Sequence, residues 1–118
     1  MALKSLKILT TGTRRGFGKF IAKKLNTYKF DRSLKFCDLD KNYDVIIHCA
    51  SNSCKNILSN DFYKFSYDNF FLTTELLKLN FKHFIFISSV GVYPQSPKVY
   101  NEESNFEIKT RNNYEFLK

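Results

Sequence analysis

The sequence predicts an α/β domain built on a parallel sheet. Short apolar, β-branched runs at residues 44–50 and 84–90 read as strands buried on both faces. Segments at residues 16–25 and about 61–79 carry apolar side chains at helical spacing. The two kinds alternate as strand, helix, strand, helix, strand, the order of βαβ units. A chain of 118 residues has the length of one domain and buries roughly two-thirds of the surface it exposes when unfolded. Its 43% hydrophobic and 25% charged residues, with four Gly and two Pro, exclude a disordered tail.

Residues 5–11 (S-L-K-I-L-T-T) alternate apolar and polar and then turn small, which suits a strand running into a tight turn. In residues 16–25, Phe17, Phe20, Ile21 and Leu25 form an apolar stripe and leave Lys19, Lys23 and Lys24 for the other face. Residues 26–43 offer two short strand candidates, T-Y-K-F-D and L-K-F-C-D, separated only by Arg32 and Ser33. A parallel crossover needs about a dozen residues, so one of the two is expected to be degenerate or antiparallel. The helix at about 61–79 has Ser59, Asn60 or Asp61 as cap and Phe62, Phe65, Phe70, Leu76, Leu77 and Leu79 as apolar surface. His83 is expected in a loop, followed by the strand at 84–90. An irregular stretch with Pro94 and Pro97 comes next, and N-N-Y-E-F-L-K begins another helix.

The net charge of +8 is lopsided. Residues 1–35 hold ten Lys/Arg against one acid, a balance of +9, and the remaining residues nine against ten, a balance of −1. Such a segment suits nucleic acid, a membrane surface or phosphate-bearing small molecules; a composition rich in Lys is the plain alternative. No stretch approaches the roughly 20 apolar residues of a membrane span, and the first residues lack the core of a secretory signal. Cys37, Cys49 and Cys54 cannot all pair and form no C-x-x-C, so a cytoplasmic protein with reduced thiols and no zinc site is expected.

Chemistry concentrates in T-G-T-R-R-G-F-G, Thr11 to Gly18, between the first strand and the first helix. Glycines let the backbone turn tightly and come close to phosphates, and free N–H groups at the helix start favour negative charge. The residues of this loop, Gly12, Thr13, Arg14, Arg15, Gly16, Phe17 and Gly18, are therefore candidate dinucleotide contacts. Their spacing is Gly-x-x-x-Gly-x-Gly. Asp31 lies nineteen residues beyond Gly12, near the roughly 20 expected of a carboxylate that binds the adenosine ribose. It reads equally as a surface turn residue in Asp-Arg-Ser. Asp38 and Leu39 are candidates for the border of an adenine pocket. His48, on a buried strand, reads as a satisfied core residue rather than a catalytic base.

Five motifs in order carry a resemblance: T-G-T-R-R-G-F-G, D-V-I-I-H-C-A-S, Y-D-N-F-F-L-T-T-E-L-L, F-I-F-I-S-S-V-G-V-Y and Y-E-F-L-K. Together they resemble the short-chain dehydrogenase/reductases, above all the extended branch of NAD-dependent epimerase/dehydratases that act on nucleotide sugars. The resemblance implies a Rossmann-like parallel sheet with flanking helices and an NAD cofactor. Asp31 favours NAD by repelling a 2′-phosphate, whereas Arg14, Arg15 and Arg32 leave NADP open. It implies Tyr114 as the acid/base for a sugar hydroxyl while hydride passes between the same carbon and the nicotinamide. A tyrosine with an ordinary pKa near 10 needs a neighbouring cation for this role. Lys118, one helical turn on, is placed to supply it. Ser89 would bond the substrate oxygen, Asn69 would serve a structural or proton-relay role, and Ala50 and Ser51 would line the ribose and phosphate side of the cofactor.

The Gly loop has the spacing usual in the shorter branch of that family, residues 26–43 are short for it, and Pro94 stands where a Gly often follows V-Y. The family has further strands and a substrate region beyond the tyrosine helix, and its dimers usually pack that helix. Residues 1–118 are accordingly expected to be a truncated, amino-terminal NAD(P)-binding part, inactive alone, with homodimerisation left open. The alternatives are a non-enzymatic basic module binding phosphate or nucleic acid, the latter unsupported by any motif, and a Rossmann-type sensor.

Overall fold

The computed structural model describes residues 5–51, 62–88 and 99–104. The elements run β1 (Ile8–Thr11), α1 (Gly16–Leu25), β2 (Tyr28–Phe30), a 3-10 turn (Phe36–Asp38), β3 (Asn42–His48), α2 (Phe62–Ser66), a π-helical turn (Tyr67–Phe71), α3 (Leu72–Leu77) and β4 (Asn80–Phe86). The four strands form one parallel sheet in the order β2-β1-β3-β4. The chain therefore builds outward from β1 to one side and then crosses to the other. This reversal between β1 and β3 opens a crevice at the carboxyl ends of the strands.

Register makes those ends level. Thr11 pairs with both Phe30 and His48, and His48 pairs with Phe86. The residues that follow, Gly12, Asp31, Cys49 and Ile87, leave the sheet along one edge.

Alternation along the strands sends Leu9 and Ile46 to one face, where they join Leu72, Leu76 and Leu79 with Phe30 and Tyr43 in the core. Leu9, Ile46 and Leu76 are fully buried. The opposite face holds Ile8, Thr10 and Ile47, and the Thr10 hydroxyl is bonded at 2.8 Å by the hydroxyl of Thr27, just past α1. Helix α1 ends at Asn26, which takes the left-handed conformation (φ 51°) and donates its N–H to the Ala22 carbonyl. Lys23 and Lys24 in its last turn complement the negative end of the helix dipole.

Several sequence expectations change in the structure. Helix α1 spans residues 16–25 as expected, yet it packs through Gly18 and Ala22 and leaves Phe17 and Phe20 more than half exposed. The backbone of the Gly loop comes too close to the helix for a large residue to lie between them. Strand β1 is buried on both faces, because it sits centrally in the sheet. Of the two short candidates in residues 26–43, the first is β2 and the second coils into the 3-10 turn, so a single parallel connection suffices. Strand β4 begins at Asn80, four residues before the expected start, and His83 lies in it, paired with Val45. Ile85 and Phe86 are partly exposed there.

The second helical segment is continuous from 62 to 77, but its middle turn widens: the Leu72 N–H reaches the Tyr67 carbonyl, five residues back. Among its described side chains Leu72 and Leu76 are the buried apolar ones, with Leu79 buried just beyond its end, whereas Phe70 and Leu77 are exposed. The side chains of Phe62 and Phe65 fall outside the described ones, as do the cap candidates at 59–61, the proline stretch and the segment at 112–118.

Candidate functional site

The site gathers at the crevice between β1 and β3. Its three glycines answer three different demands. Gly12 has φ +70°, and a side chain there would put its Cβ 2.7 Å from the Ala50 nitrogen and 2.8 Å from the Cys49 carbonyl carbon. Only a residue without Cβ lets the loop leaving β1 touch the turn leaving β3. Gly18 faces inward: a Cβ there would stand 2.0 Å from the Gly12 carbonyl oxygen. Its role is close packing of α1 against the loop. Gly16 also has a left-handed φ, +66°, yet among the described residues no neighbouring group lies within 4 Å of the place its Cβ would take. Its conformation keeps the backbone bare toward open space.

The start of α1 is set up for an anion. Its first turn contains no acidic residue, and Arg15, the residue before it, makes no side-chain cap. The leading N–H groups of such a helix carry partial positive charge. Arg14 and Arg15 flank the turn and are exposed, while Thr13 is buried beneath it.

Asp31 stands directly after β2. Its carboxylate accepts from the Ser33 N–H at 2.7 Å and from the Ser33 hydroxyl at 2.5 Å, and it lies 3.9 Å from the Arg14 guanidinium. The two bonds from Ser33, then the Arg14 charge, hold its pKa below the usual carboxylate value. Asp31 thus closes a turn and also faces the Gly loop, so the two sequence readings of it are compatible.

Ala50 packs partly buried on the core and Ser51 is exposed. Asp38 ends the 3-10 turn, where its carboxylate accepts from the Lys35 N–H at 3.2 Å, and Leu39 follows with its side chain against the core. Asn69 is buried in the π-helical turn. Such turns recur at functional positions in helices. Ser89, Tyr114 and Lys118 lie outside the described residues, as does Cys54.

A hydroxyl that the sequence reading passed over holds the crevice together. Thr11 Oγ1 accepts from the N–H groups of Cys49 (3.2 Å) and Ala50 (3.1 Å) and bonds His48 Nδ1 at 2.7 Å. The other ring nitrogen of His48, Nε2, is 2.8 Å from Thr73 Oγ1. His48 is therefore a satisfied core residue, as expected. The sequence signal for Thr11 was its place as a hydroxyl residue on the last step of a buried strand.

A model of the NAD dependent epimerase/dehydratase family matches residues 8–118. The chain belongs to this family. Among solved structures, a UDP-glucuronic acid 4-epimerase from Bacillus cereus has the same fold. That structure is a tyrosine-to-phenylalanine mutant in complex with UDP-4-deoxy-4-fluoro-glucuronic acid and NAD. The match has a TM-score of 0.74 and 16% identity, and it covers 95% of this chain and 48% of that one. The present chain spans about half the epimerase's length. No curated protein sequence matches it. The family assignment agrees with the Rossmann-like topology, and no helix among the described residues is long and apolar enough to cross a membrane.

Proposed function

We propose that this chain forms the NAD-binding part of a nucleotide-sugar epimerase or a related dehydratase or reductase. The observation that carries the proposal is Gly16. Its left-handed backbone serves no packing among the described residues, and it opens the start of α1 to an approaching group at the sheet's switch point. A pyrophosphate fits that cradle, because its negative charge meets uncapped N–H groups with Arg14 and Arg15 beside them.

Gly12, Thr13, Gly16, Phe17 and Gly18 form the loop that would receive the pyrophosphate. Asp31, ionised at neutral pH, would accept from the adenosine ribose hydroxyls and repel a 2′-phosphate, which favours NAD over NADP. Asp38 and Leu39 would border the adenine, and Ala50 and Ser51 would line the opposite wall. The nicotinamide supplies reversible hydride acceptance at a sugar carbinol carbon. Tyr114 would take and return the hydroxyl proton, with Lys118 lowering its pKa. Ser89 would hold the substrate oxygen, and Asn69 would steady the site from the π-helical turn.

The test is a fluorescence titration of the 118-residue chain with NADH and, in parallel, NADPH. Saturable enhancement of nicotinamide emission, tighter for NADH, is the expected result. No binding of either dinucleotide would overturn the proposal.

A further inference from the structure

The hydrogen-bond chain beneath the crevice settles where the protons sit. A threonine hydroxyl has two lone pairs and one proton. The Cys49 and Ala50 N–H groups both donate to Thr11 Oγ1 and use both lone pairs. The remaining bond, 2.7 Å to His48 Nδ1, must then be made with the Thr11 proton, so Nδ1 is bare. A neutral imidazole with a bare Nδ1 carries its proton on Nε2, which donates across 2.8 Å to Thr73 Oγ1. A second proton on Nδ1 would set three donors against two lone pairs. The ring is 1% exposed and flanked by Phe84 and Phe86 at 6.2 and 5.6 Å between centroids, surroundings that suit an uncharged imidazole.

We infer that His48, held as the neutral Nε2–H tautomer, is a positioning residue that fixes the Cys49–Ala50 turn against the Gly12 loop through Thr11. Thr11 precedes Gly12 directly, and the Ala50 nitrogen it holds is the atom nearest to where a Gly12 Cβ would stand, at 2.7 Å. Helix α3, through Thr73, is thereby tied to the width of the crevice. The effect on cofactor rests on the proposed NAD site; the tautomer and the order of the turn do not.

The experiment uses the uniformly ¹⁵N-labelled chain, in which the only other histidine is His83, assigned with His83→Asn. A long-range ¹H–¹⁵N spectrum at neutral pH should show His48 as a single Nε2–H tautomer. An Nδ1–H or imidazolium pattern would overturn the inference. Thr11→Val, which removes the hydroxyl and its three hydrogen bonds at nearly constant shape, should speed amide exchange at Cys49 and Ala50 and weaken NADH binding by about tenfold or more. Thr11→Ser should restore most of both. Unchanged exchange in Thr11→Val would refute the positioning role. If the wild-type chain bound no NADH, the cofactor reading would fail, while the tautomer and the exchange rates would still decide this one. If Thr11→Val did not fold, the wild-type spectrum and Thr11→Ser would decide it.

Discussion

Replacing Gly16 by alanine separates what the loop does for the fold from what it does for a ligand. The new Cβ meets nothing within 4 Å among the described residues, so the cost to the protein is backbone strain at φ +66°. An L residue in the left-handed region costs about 1–2 kcal/mol. At roughly 4 °C per kcal/mol for a domain of this size, the melting temperature should fall by about 4–8 °C. Gly12→Ala bears the same strain and also drives a Cβ to within 2.7–2.9 Å of three backbone atoms of Cys49 and Ala50. Backbone cannot rotate aside as a side chain can, and overpacking adds roughly 1–3 kcal/mol. Its melting temperature should therefore drop by about 8–20 °C. Cofactor affinity should follow a different order. The Gly16 methyl would occupy the space in which a phosphate approaches the first N–H groups of α1. Losing one charge-assisted hydrogen bond costs about 1.5–3 kcal/mol, or roughly 10- to 100-fold in Kd. Calorimetric melting and NADH titration of both variants and the wild type measure the two effects. Equal destabilisation by the two alanines would show that Gly16 is packed. Wild-type NADH affinity in Gly16→Ala would show that no phosphate passes over it.

Gly18→Ala should destabilise at least as much as Gly12→Ala, because its Cβ would overlap the Gly12 carbonyl oxygen at 2.0 Å; thermal melting checks this. Asp31→Asn should weaken NADH binding by roughly tenfold and shift the NADH-to-NADPH preference toward NADPH, as read by parallel titrations. Leu76→Ala empties a fully buried core position and should cost about 2–5 kcal/mol in urea unfolding. The carboxyls of Asp31 and Asp44 are both held below the ordinary value of 3.8, Asp31 by Ser33 and Asp44 first by the Lys7 N–H and then by Lys82. A depressed folded pKa contributes stability that is full above the unfolded value and is lost as pH falls through the folded one. Urea midpoints measured from near-neutral to strongly acidic pH should therefore decline below about pH 4, and less steeply in an Asp31→Asn/Asp44→Asn variant.

Much of the fold was legible because parallel sheets leave a plain trace. Strand β3 is an apolar run because it lies inside the sheet with its last three residues buried, and the Gly loop reads as a turn because its spacing is chemical. The misreadings share one cause, which is that periodicity reports apolar residues without saying what they face. Phe17 and Phe20 lie on a helical stripe, yet Gly18 and Ala22 are the residues that reach the sheet. His83 reads as a loop residue, yet ladder bonds to β3 carry it into β4.

By itself, the sequence determined the α/β class, the place of the Gly loop and the order of motifs that marks the family. Each of these rests on local stereochemistry or on spacing along the chain. Only the tertiary structure decided why each glycine is needed, since Gly12 and Gly16 share a backbone conformation and differ in what stands next to them. It alone joined Thr11, His48 and Thr73, residues 37 and 25 positions apart along the chain. Hydrogen-bond direction depends on which atoms meet, and strand register and helix packing bring these together.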